Sequence, residues 1–380
     1  MFIPRLNQIE EIEALEEEFH KEKGIYPTNV SSWHVSPSFT ALMQRTIHLL
    51  KNTEWIKYKY TYNLPQVVNI SVKQKLGLNK ISDDVAIVYF PNNTISIVNI
   101  VNYLCRSGIS SVGVVNPAYF SVVHATSLSG QRCQEFSMKN IQGDWHIPVN
   151  ELLKSKVQAI WITSPIYSTG IYYSEENIHE IELLLQESIT IVIDESFCLP
   201  GHELFPRLFG KGDIISILSP HKAICINGLK FSAVLCSREL QDAFEQWCDV
   251  FSGNLPPSSV SAIFHFDSDN YNICYHAFND YISPVKAFVH SLPAQFQRVS
   301  CDTRFKGSLA TLFINGISNE VFNSLAFTKI LMCKTYALFY PGFLNGFNES
   351  HEPCFRINLT LDSPDFRASL TRILKFLDTY

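Results

Sequence analysis

The sequence has no long apolar run and no basic stripe, and its first residues lack the pattern expected of a signal peptide. No apolar run reaches the roughly 20 residues that a membrane-spanning helix needs. The segment Met1 to Glu18 is rich in glutamate, where a signal peptide has a basic start and an apolar core. The net charge is −6 and basic residues are not clustered, which argues against nucleic acid as a partner. We therefore expect a cytoplasmic protein that binds neither membranes nor nucleic acid.

The ten cysteines include no Cys-x-x-Cys pair and are scattered through apolar segments. This spacing argues against a disulfide framework or a metal site and favours free thiols in a reducing compartment. Hydrophobic residues make up 46% and charged residues 17% of the 380 residues, so the chain can bury a large core. The length favours one large domain with a smaller one.

Short apolar runs bounded by turn residues alternate with segments that have one apolar helical face. The predicted buried strands are 85–90, 112–115, 159–163, 189–193, 214–218 and 231–235, and the predicted helices are 6–22, 94–105, 149–154 and 174–186. This alternation predicts a mostly parallel sheet covered by helices on both faces. Ligands of such sheets lie at the carboxyl ends of the strands, so the polar residues after each strand are the candidate site.

The alternation weakens after the turn at 253–257, which we take as a domain boundary. We expect a three-layer α/β/α large domain over residues 56–252. Residues 1–55 and 253–380 together are expected to form a smaller α+β domain.

Lys222 follows one of the predicted strands directly, with Ser219 before it and Lys230 after it. An ammonium at such a position must be paired or neutralised, and an amine that can lose its proton is what Schiff-base chemistry needs. The flanking hydroxyl and cation could both reach one phosphate group. The alternative is an ordinary lysine in a surface loop.

Three other post-strand segments carry candidate residues. Asp194 ends a buried apolar strand and is suited to a cationic partner such as a protonated pyridine nitrogen, although an aspartate here could also cap a helix. Tyr119, in the segment 116–120, offers a ring that could stack on a planar cofactor. The segment 162–170 also follows a strand, and ordinary loop chemistry is the alternative for both segments.

Taken together, these segments resemble the class I/II aminotransferases, which are fold type I enzymes dependent on pyridoxal 5′-phosphate (PLP). The resemblance covers about residues 25 to 375. It implies that Lys222 carries the cofactor as a Schiff base and that Asp194 binds its pyridinium nitrogen. It also implies that Tyr119 stacks on the cofactor ring and that Ser219 and Lys230 bind its phosphate.

The resemblance implies further site residues. The family's phosphate loop falls on Asn92, Asn93 and Thr94, and the arginine that grips the substrate α-carboxylate matches Arg356. A tyrosine that reaches the neighbouring subunit's phosphate is best matched by Tyr58 (or Tyr60), which implies a homodimer with shared active sites. The active site is expected between the two domains. The candidates for the substrate pocket are Trp33, His34 and Tyr167.

Four positions depart from the family pattern. Lys230 replaces the phosphate-binding arginine, and Asn92 stands where glycine is usual. Tyr167 and Phe197 stand where the family has an asparagine and a tyrosine that hydrogen-bond the phenolic oxygen of the cofactor. Tyr167 could still supply one hydroxyl to that oxygen. These changes bear on the reaction more than on the fold.

The resemblance implies an aminotransferase that moves an amino group between an amino acid and a 2-oxo acid. Lys222 would move the Cα proton as general acid and base. Another PLP reaction on an amino acid, such as elimination, cyclisation or oxidation, is the first alternative. A non-catalytic relative is the second, and the joint presence of Lys222, Asp194 and Arg356 argues against it.

Overall fold

The computed structural model describes residues 4–47, 64, 66–78, 83–141 and 143–380. The described strands are β1 (Thr28–Asn29), β2 (Val85–Phe90), β3 (Ser111–Asn116), β4 (Arg132–Ser137), β5 (Lys139–Ile141), β6 (Asp144–His146), β7 (Ala159–Thr163), β8 (Thr190–Glu195), β9 (Ile214–Leu218), β10 (Ser232–Ser237), β11 (Val299–Cys301), β12 (Leu309–Ile314), β13 (Ala337–Leu338) and β14 (Cys354–Asn358). The described helices are α1 (Pro4–Lys23), α2 (Pro37–Thr46), α3 (Gln66–Lys75), α4 (Asn93–Arg106), α5 (Phe120–Leu128), α6 (Val149–Ser155), α7 (Glu175–Gln186), α8 (Phe205–Leu208), α9 (Pro220–Ala223), α10 (Gln241–Ser252), α11 (Pro257–Asp267), α12 (Asp269–Ser291), α13 (Asn319–Phe322), α14 (Leu325–Thr335) and α15 (Pro364–Thr379). Among these helices, none has the length and apolar composition of a membrane span.

A seven-stranded sheet with the order β2-β10-β9-β8-β7-β3-β4 forms the centre of the fold. β10 runs antiparallel to both of its neighbours, and the remaining strands are parallel to one another. Each strand predicted from an apolar run is present, and three of them have the predicted bounds. The prediction of a mostly parallel sheet is confirmed.

Both faces of this sheet are covered. Residues of one face, among them Val88, Trp161 and Val192, form a buried cluster with residues of α4, α5 and α10. The alternate residues of the same strands, such as Ile87 and Ile193, are buried as well. Burial on both faces explains why these strands are continuous apolar runs, and it gives the predicted three layers.

The chain forms two compact units. One, the sheet unit, comprises residues 43–166 and 172–278, and the other, the small unit, comprises 1–42, 167–171 and 279–380. The small unit contains the antiparallel sheet β11-β12-β14, the short parallel pair β1-β13 and a core in which α1 contributes Ile12 and Phe19. It is therefore α+β, as expected. The domain boundaries expected at 55/56 and 252/253 stay a prediction.

Candidate active site

Four parallel strands of the sheet unit, β9, β8, β7 and β3, lie side by side, and their carboxyl ends share one edge of the sheet. Asp194 of β8 pairs in register with Thr163 of β7 on one side and with Ile217 of β9 on the other. Tyr119 follows β3, and Lys222 follows β9. The topology therefore places these three candidate residues after neighbouring strands at one edge.

Lys222 lies on the helical turn α9, and its amine is close to two aromatic rings. The Nζ atom is 4.4 Å from the ring centroid of Phe197 and 5.6 Å from that of Tyr119. Within the described residues, Nζ takes part in no hydrogen bond or ion pair. Burial, the largest cause, lowers the pKa of this amine; the negative charge of Asp194 opposes the shift and the positive charge of Lys230 adds to it. Lys222 is thus not an ordinary surface-loop lysine.

Buried contacts fix the turn that carries Lys222. The Tyr271 hydroxyl donates to the carbonyl of Pro220 at 2.9 Å, and Nε2 of His221 is 3.0 Å from Nδ1 of His265. Burial lowers the pKa of His221 well below its ordinary value, and His265 adds to this shift. His221 therefore stays neutral, and its contact with His265 helps to hold the turn.

Asp194 is buried, and its two carboxylate oxygens differ in their surroundings. Oδ1 accepts hydrogen bonds from the backbone N–H of Ser196 at 3.0 Å and from the Ser196 hydroxyl. The side-chain amide of Asn93 in turn donates to the Ser196 hydroxyl oxygen. Oδ2 accepts no hydrogen bond from the described residues. Since β8 continues to Glu195 and no helix begins there, Asp194 is not a helix cap.

The start of α4 presents two unused backbone donors. Asn92 caps this helix, since its side-chain oxygen accepts the N–H of Ile95 at 3.1 Å. The N–H groups of Asn93 and Thr94 have no hydrogen-bond partner among the described residues. N–H groups at a helix start favour an anion, so the segment predicted as a phosphate loop has suitable donors.

The backbone of Lys230 lies near this helix start. The Ser259 hydroxyl is 3.0 Å from the carbonyl oxygen of Lys230 and 3.4 Å from that of Pro91, which ties the two loops together. Nζ of Lys230 has no carboxylate partner within the described residues. The Ser219 hydroxyl, however, donates to the carbonyl of Phe231 at 2.7 Å, so it would have to turn before it could donate to a phosphate.

Asp194 is followed by a buried glutamate, Glu195, that was not predicted as a site residue. Glu195 accepts hydrogen bonds from the Ser216 hydroxyl at 2.6 Å and the Leu204 N–H at 2.5 Å. Burial is the largest influence on its pKa and raises it to about 8. These bonds hold both ends of the segment 195–204, which carries Phe197, and Glu195 keeps its proton at neutral pH.

Glu195→Gln should make the protein less sensitive to rising pH. Because the pKa of Glu195 rises from 4.5 to about 8 on folding, the folded state retains a proton between these values that the unfolded chain releases. As the pH rises from 4.5 to about 8, the free energy of unfolding therefore falls. Glu195 contributes at most roughly 1.4 kcal/mol per pH unit to this fall. The glutamine oxygen can accept from the Leu204 N–H and its NH₂ can donate to the Ser216 hydroxyl oxygen, and glutamine cannot ionise. Urea unfolding should give the mutant a higher free energy of unfolding than wild type at pH 8.5 and no such gain at pH 5.

The matched control is Glu175→Gln, which removes an exposed carboxylate 2.6 Å from Arg207. This control should not gain stability over wild type at high pH. A Glu195→Gln effect of equal size at both pH values would contradict the assignment of a raised pKa.

In the small unit, Arg356 of β14 is buried and has an ordered guanidinium. Nη1 donates to Oδ1 of Asn345 at 2.9 Å, Nη2 donates to the carbonyl of Ser31 at 2.7 Å, and Cζ lies 3.8 Å from the ring centroid of Trp33. Among the described residues, Nε has no hydrogen-bond partner and no carboxylate pairs with this cation. Burial lowers the pKa of Arg356, and Tyr167 is the main influence that opposes the shift.

The other predicted pocket residues lie as follows. Tyr167 is buried and its hydroxyl hydrogen-bonds to Arg356, which is a different partner from the cofactor oxygen considered for it. Trp33 is 43% exposed although it stacks on the guanidinium. His34 is exposed, and its carbonyl accepts from the amide of Asn358.

The predictions for Tyr58 and Tyr60 fall outside the residues that the structure describes. Ser196, Asn345 and Ser31 were not predicted as site residues. Ser196 alone had a local signal in the sequence, because a hydroxyl two residues after an aspartate can donate back to it.

The structure is similar to several solved aminotransferases. Aspartate aminotransferase from Rhizobium meliloti superimposes with a TM-score of 0.76 at 14% identity, over 97% of this chain and 96% of that chain. Alanine aminotransferase from Pyrococcus furiosus gives 0.75 at 15% identity over 100% of both chains, and a methionine aminotransferase from Escherichia coli gives 0.73 at 13% identity over 96% of both.

No protein-family model and no curated protein sequence matches the chain. The structural likeness extends over nearly the whole chain at low identity, which shows the fold and leaves the activity to be argued from the residues. The chain has the aspartate-aminotransferase-like fold, called fold type I, as the sequence resemblance implied.

Proposed function

We propose that this chain is a PLP-dependent aminotransferase that acts on an amino acid and a 2-oxo acid. The observation that carries the proposal is the arrangement at the sheet edge. There the negative charge of the buried Asp194 acts on the amine of Lys222. Among the described residues, this amine has no hydrogen-bond partner and Oδ2 of Asp194 receives no donor. The similar solved structures are aminotransferases, which supports the same function.

The groups without partners at this edge match the functional groups of PLP. The Lys222 amine suits the aldehyde, Oδ2 of Asp194 suits the pyridinium N–H, and the N–H groups of Asn93 and Thr94 suit the phosphate, with the cation of Lys230 nearby. The donor set thus fits the cofactor, and these residues would hold it. Tyr119, whose ring lies within 5.6 Å of Nζ of Lys222, would cover one face of its ring.

PLP, when bound, supplies an electron sink for the charge that develops at the substrate Cα. The protein's own part is proton transfer and positioning. Nζ of Lys222, with its lowered pKa, would accept the Cα proton and later return it. Asp194 would keep the pyridine nitrogen protonated through Oδ2 while Ser196 holds Oδ1.

Arg356 would bind the substrate α-carboxylate. A buried cation without a carboxylate partner is costly, and an anionic ligand would compensate for it. Trp33 below the guanidinium and Asn345 at Nη1 would fix its plane, so that the remaining N–H groups can grip a carboxylate in the bidentate manner.

The test is a spectrum followed by a transfer assay. The purified protein, saturated with PLP, should absorb in the visible, and the band should change when a substrate amino acid is added. Addition of a panel of 2-oxo acids should then yield the corresponding new amino acid. No spectral change with any of the twenty amino acids, or a change that never leads to a new amino acid, would argue against transamination.

A second candidate is a different PLP reaction at the same site, such as elimination, cyclisation or oxidation. It is favoured by the two positions at which the family has hydrogen-bond donors to the phenolic oxygen of PLP. Phe197 has no hydroxyl, and the hydroxyl of Tyr167 is hydrogen-bonded to Arg356. Release of ammonia or a cyclic product without consumption of the 2-oxo acid would select this reaction.

Phe197→Tyr should lower the apparent pKa at which the visible band changes. The ring at position 197 lies 4.4 Å from Nζ of Lys222, so an added hydroxyl is near the covalent link between lysine and cofactor. A donor to the negative ring oxygen disperses its charge, and the neighbouring nitrogen then holds its proton less tightly. One hydrogen bond to a charged group is worth about 1.5–3 kcal/mol, or roughly 1–2 pH units. An unchanged or raised value would contradict this role.

A homodimer with shared active sites is also part of the proposal. It rests on the family that the sequence resembles, in which a tyrosine of the neighbouring subunit reaches the phosphate. Sedimentation of the PLP-saturated protein should give twice the mass of one chain, and a monomer that retains transfer activity would refute it.

A further inference from the structure

We propose that Ser196 and Asn93 are positioning residues for Asp194, and that they join the anion-binding start of α4 to the acid that faces the cofactor nitrogen. This inference rests on the proposed function, since it takes PLP as the ligand of Asp194. The three residues come from two separate parts of the sheet unit, the first turn of α4 and the carboxyl end of β8.

The contacts form a continuous chain. The Asn93 amide donates to the Ser196 hydroxyl oxygen, and the Ser196 hydroxyl and backbone N–H both donate to Oδ1 of Asp194. The exposed fractions of the three side chains are 7%, 2% and 4%, so water competes little for these bonds. A continuous chain of buried hydrogen bonds holds its members in one arrangement.

The direction of donation along this chain is fixed by chemistry. A hydroxyl has one proton, and an ionised carboxylate can only accept. Ser196 must therefore give its proton to Asp194, and the group that faces its oxygen must be the NH₂ end of Asn93. Oδ1 is then occupied by two donors, and Oδ2 is the oxygen left for a cationic N–H. The chain thereby selects which carboxylate oxygen serves the cofactor.

Asn93 has a second role at the same place. Its backbone N–H is one of the two unused donors at the start of α4, while its side chain contacts Ser196. One residue therefore connects the group that would bind the phosphate to the residue that orients the ring acid. A side-chain substitution at Asn93 leaves this backbone N–H in place, so it should weaken the contact with the ring nitrogen, as a substitution at Ser196 does.

The experiment compares PLP with its 1-deaza analogue, in which carbon replaces the ring nitrogen. Apoprotein is titrated with each compound, and the dissociation constants are measured by absorbance or fluorescence, with no turnover required. Ser196→Ala should weaken PLP binding roughly tenfold or more, the effect of losing a hydrogen bond to a charged group. It should weaken binding of the analogue less than threefold, because the analogue has no N–H for Asp194.

Ser216→Ala is the matched control. Ser216 is a buried serine on the neighbouring strand, and its hydroxyl donates to Glu195 and not to Asp194. The ratio of PLP to analogue affinity should be the same in this variant as in wild type. Ser196→Thr, which keeps the hydroxyl, should restore much of the ratio. Asn93→Ala, which keeps the backbone N–H, should change the ratio in the same direction as Ser196→Ala.

The outcomes separate the inference from the proposed function. If wild-type protein binds no PLP, the proposed function fails and the inference with it. If wild type binds PLP but Ser196→Ala loses equal affinity for both compounds, as Ser216→Ala does, the chain of contacts only supports the fold and the inference alone fails. Apoprotein melting temperatures exclude unfolding as the cause of any loss.

Discussion

Lys222→Ala should remove the covalent link to PLP and nearly abolish turnover. After borohydride treatment, wild-type protein should carry the cofactor on one lysine, identified by mass spectrometry, and the mutant should carry none. The reason is that Lys222 is the amine close to both Tyr119 and Phe197. Loss of the proton-transfer group alone should reduce the rate by a factor on the order of 10²–10⁴. The mutant should still bind PLP non-covalently, through contacts with the phosphate of the cofactor.

Lys75→Ala is the control for this experiment. Lys75 is also a lysine of the sheet unit whose pKa is lowered mainly by burial, but its amine is bonded to the carbonyls of Phe266 and Ser268. This variant should keep the reducible link and the rate. If borohydride tags another lysine in wild type, or if Lys222→Ala is tagged as strongly, the assignment of Lys222 is wrong.

The strands and the residues at their ends could be predicted from the sequence because each strand is buried on both faces. Such a strand needs a continuous apolar run, and the first polar residue after the run marks its carboxyl end. This pattern singled out Asp194 and Lys222 as candidates, and their roles stay a prediction. The resemblance then supplied roles for residues that a pattern cannot assign, such as Arg356.

The partners of these residues could not be predicted, because they come from distant parts of the chain. The bond between Asn93 and Ser196 joins residues 103 positions apart, and no local pattern predicts it. The hydroxyl of Tyr167 bonds to Arg356, which the sequence reading did not anticipate. Ser219 was expected to donate to a phosphate, but its proton goes to a backbone carbonyl that is 12 residues away in sequence. Tertiary contacts decide the direction of a side chain and the rotation of its hydroxyl. A match to a family position therefore does not predict the hydrogen-bond partner of the residue.

Arg356 combines features that a lysine could not reproduce. The guanidinium is planar, stacks on Trp33 and donates in two directions to Asn345 and Ser31. An ammonium has a single nitrogen, so it cannot make these contacts and also offer two parallel donors to a carboxylate. The substitution Arg356→Lys keeps the positive charge and removes the planar group with its parallel N–H donors.

Arg356→Lys should weaken the binding of α-amino acids by about 1.5–3 kcal/mol, or roughly tenfold to 150-fold in Kd. Titration of the visible band with a substrate amino acid measures this loss. The corresponding amine without a carboxylate should bind wild type and mutant equally, which separates the carboxylate contact from general damage to the site. Arg372→Lys is the matched control, because Arg372 donates to Thr335 and Ser369 of the same unit. If Arg356→Lys leaves the affinity for every amino acid unchanged, or weakens the amine as much as the amino acid, Arg356 is not the carboxylate-binding residue.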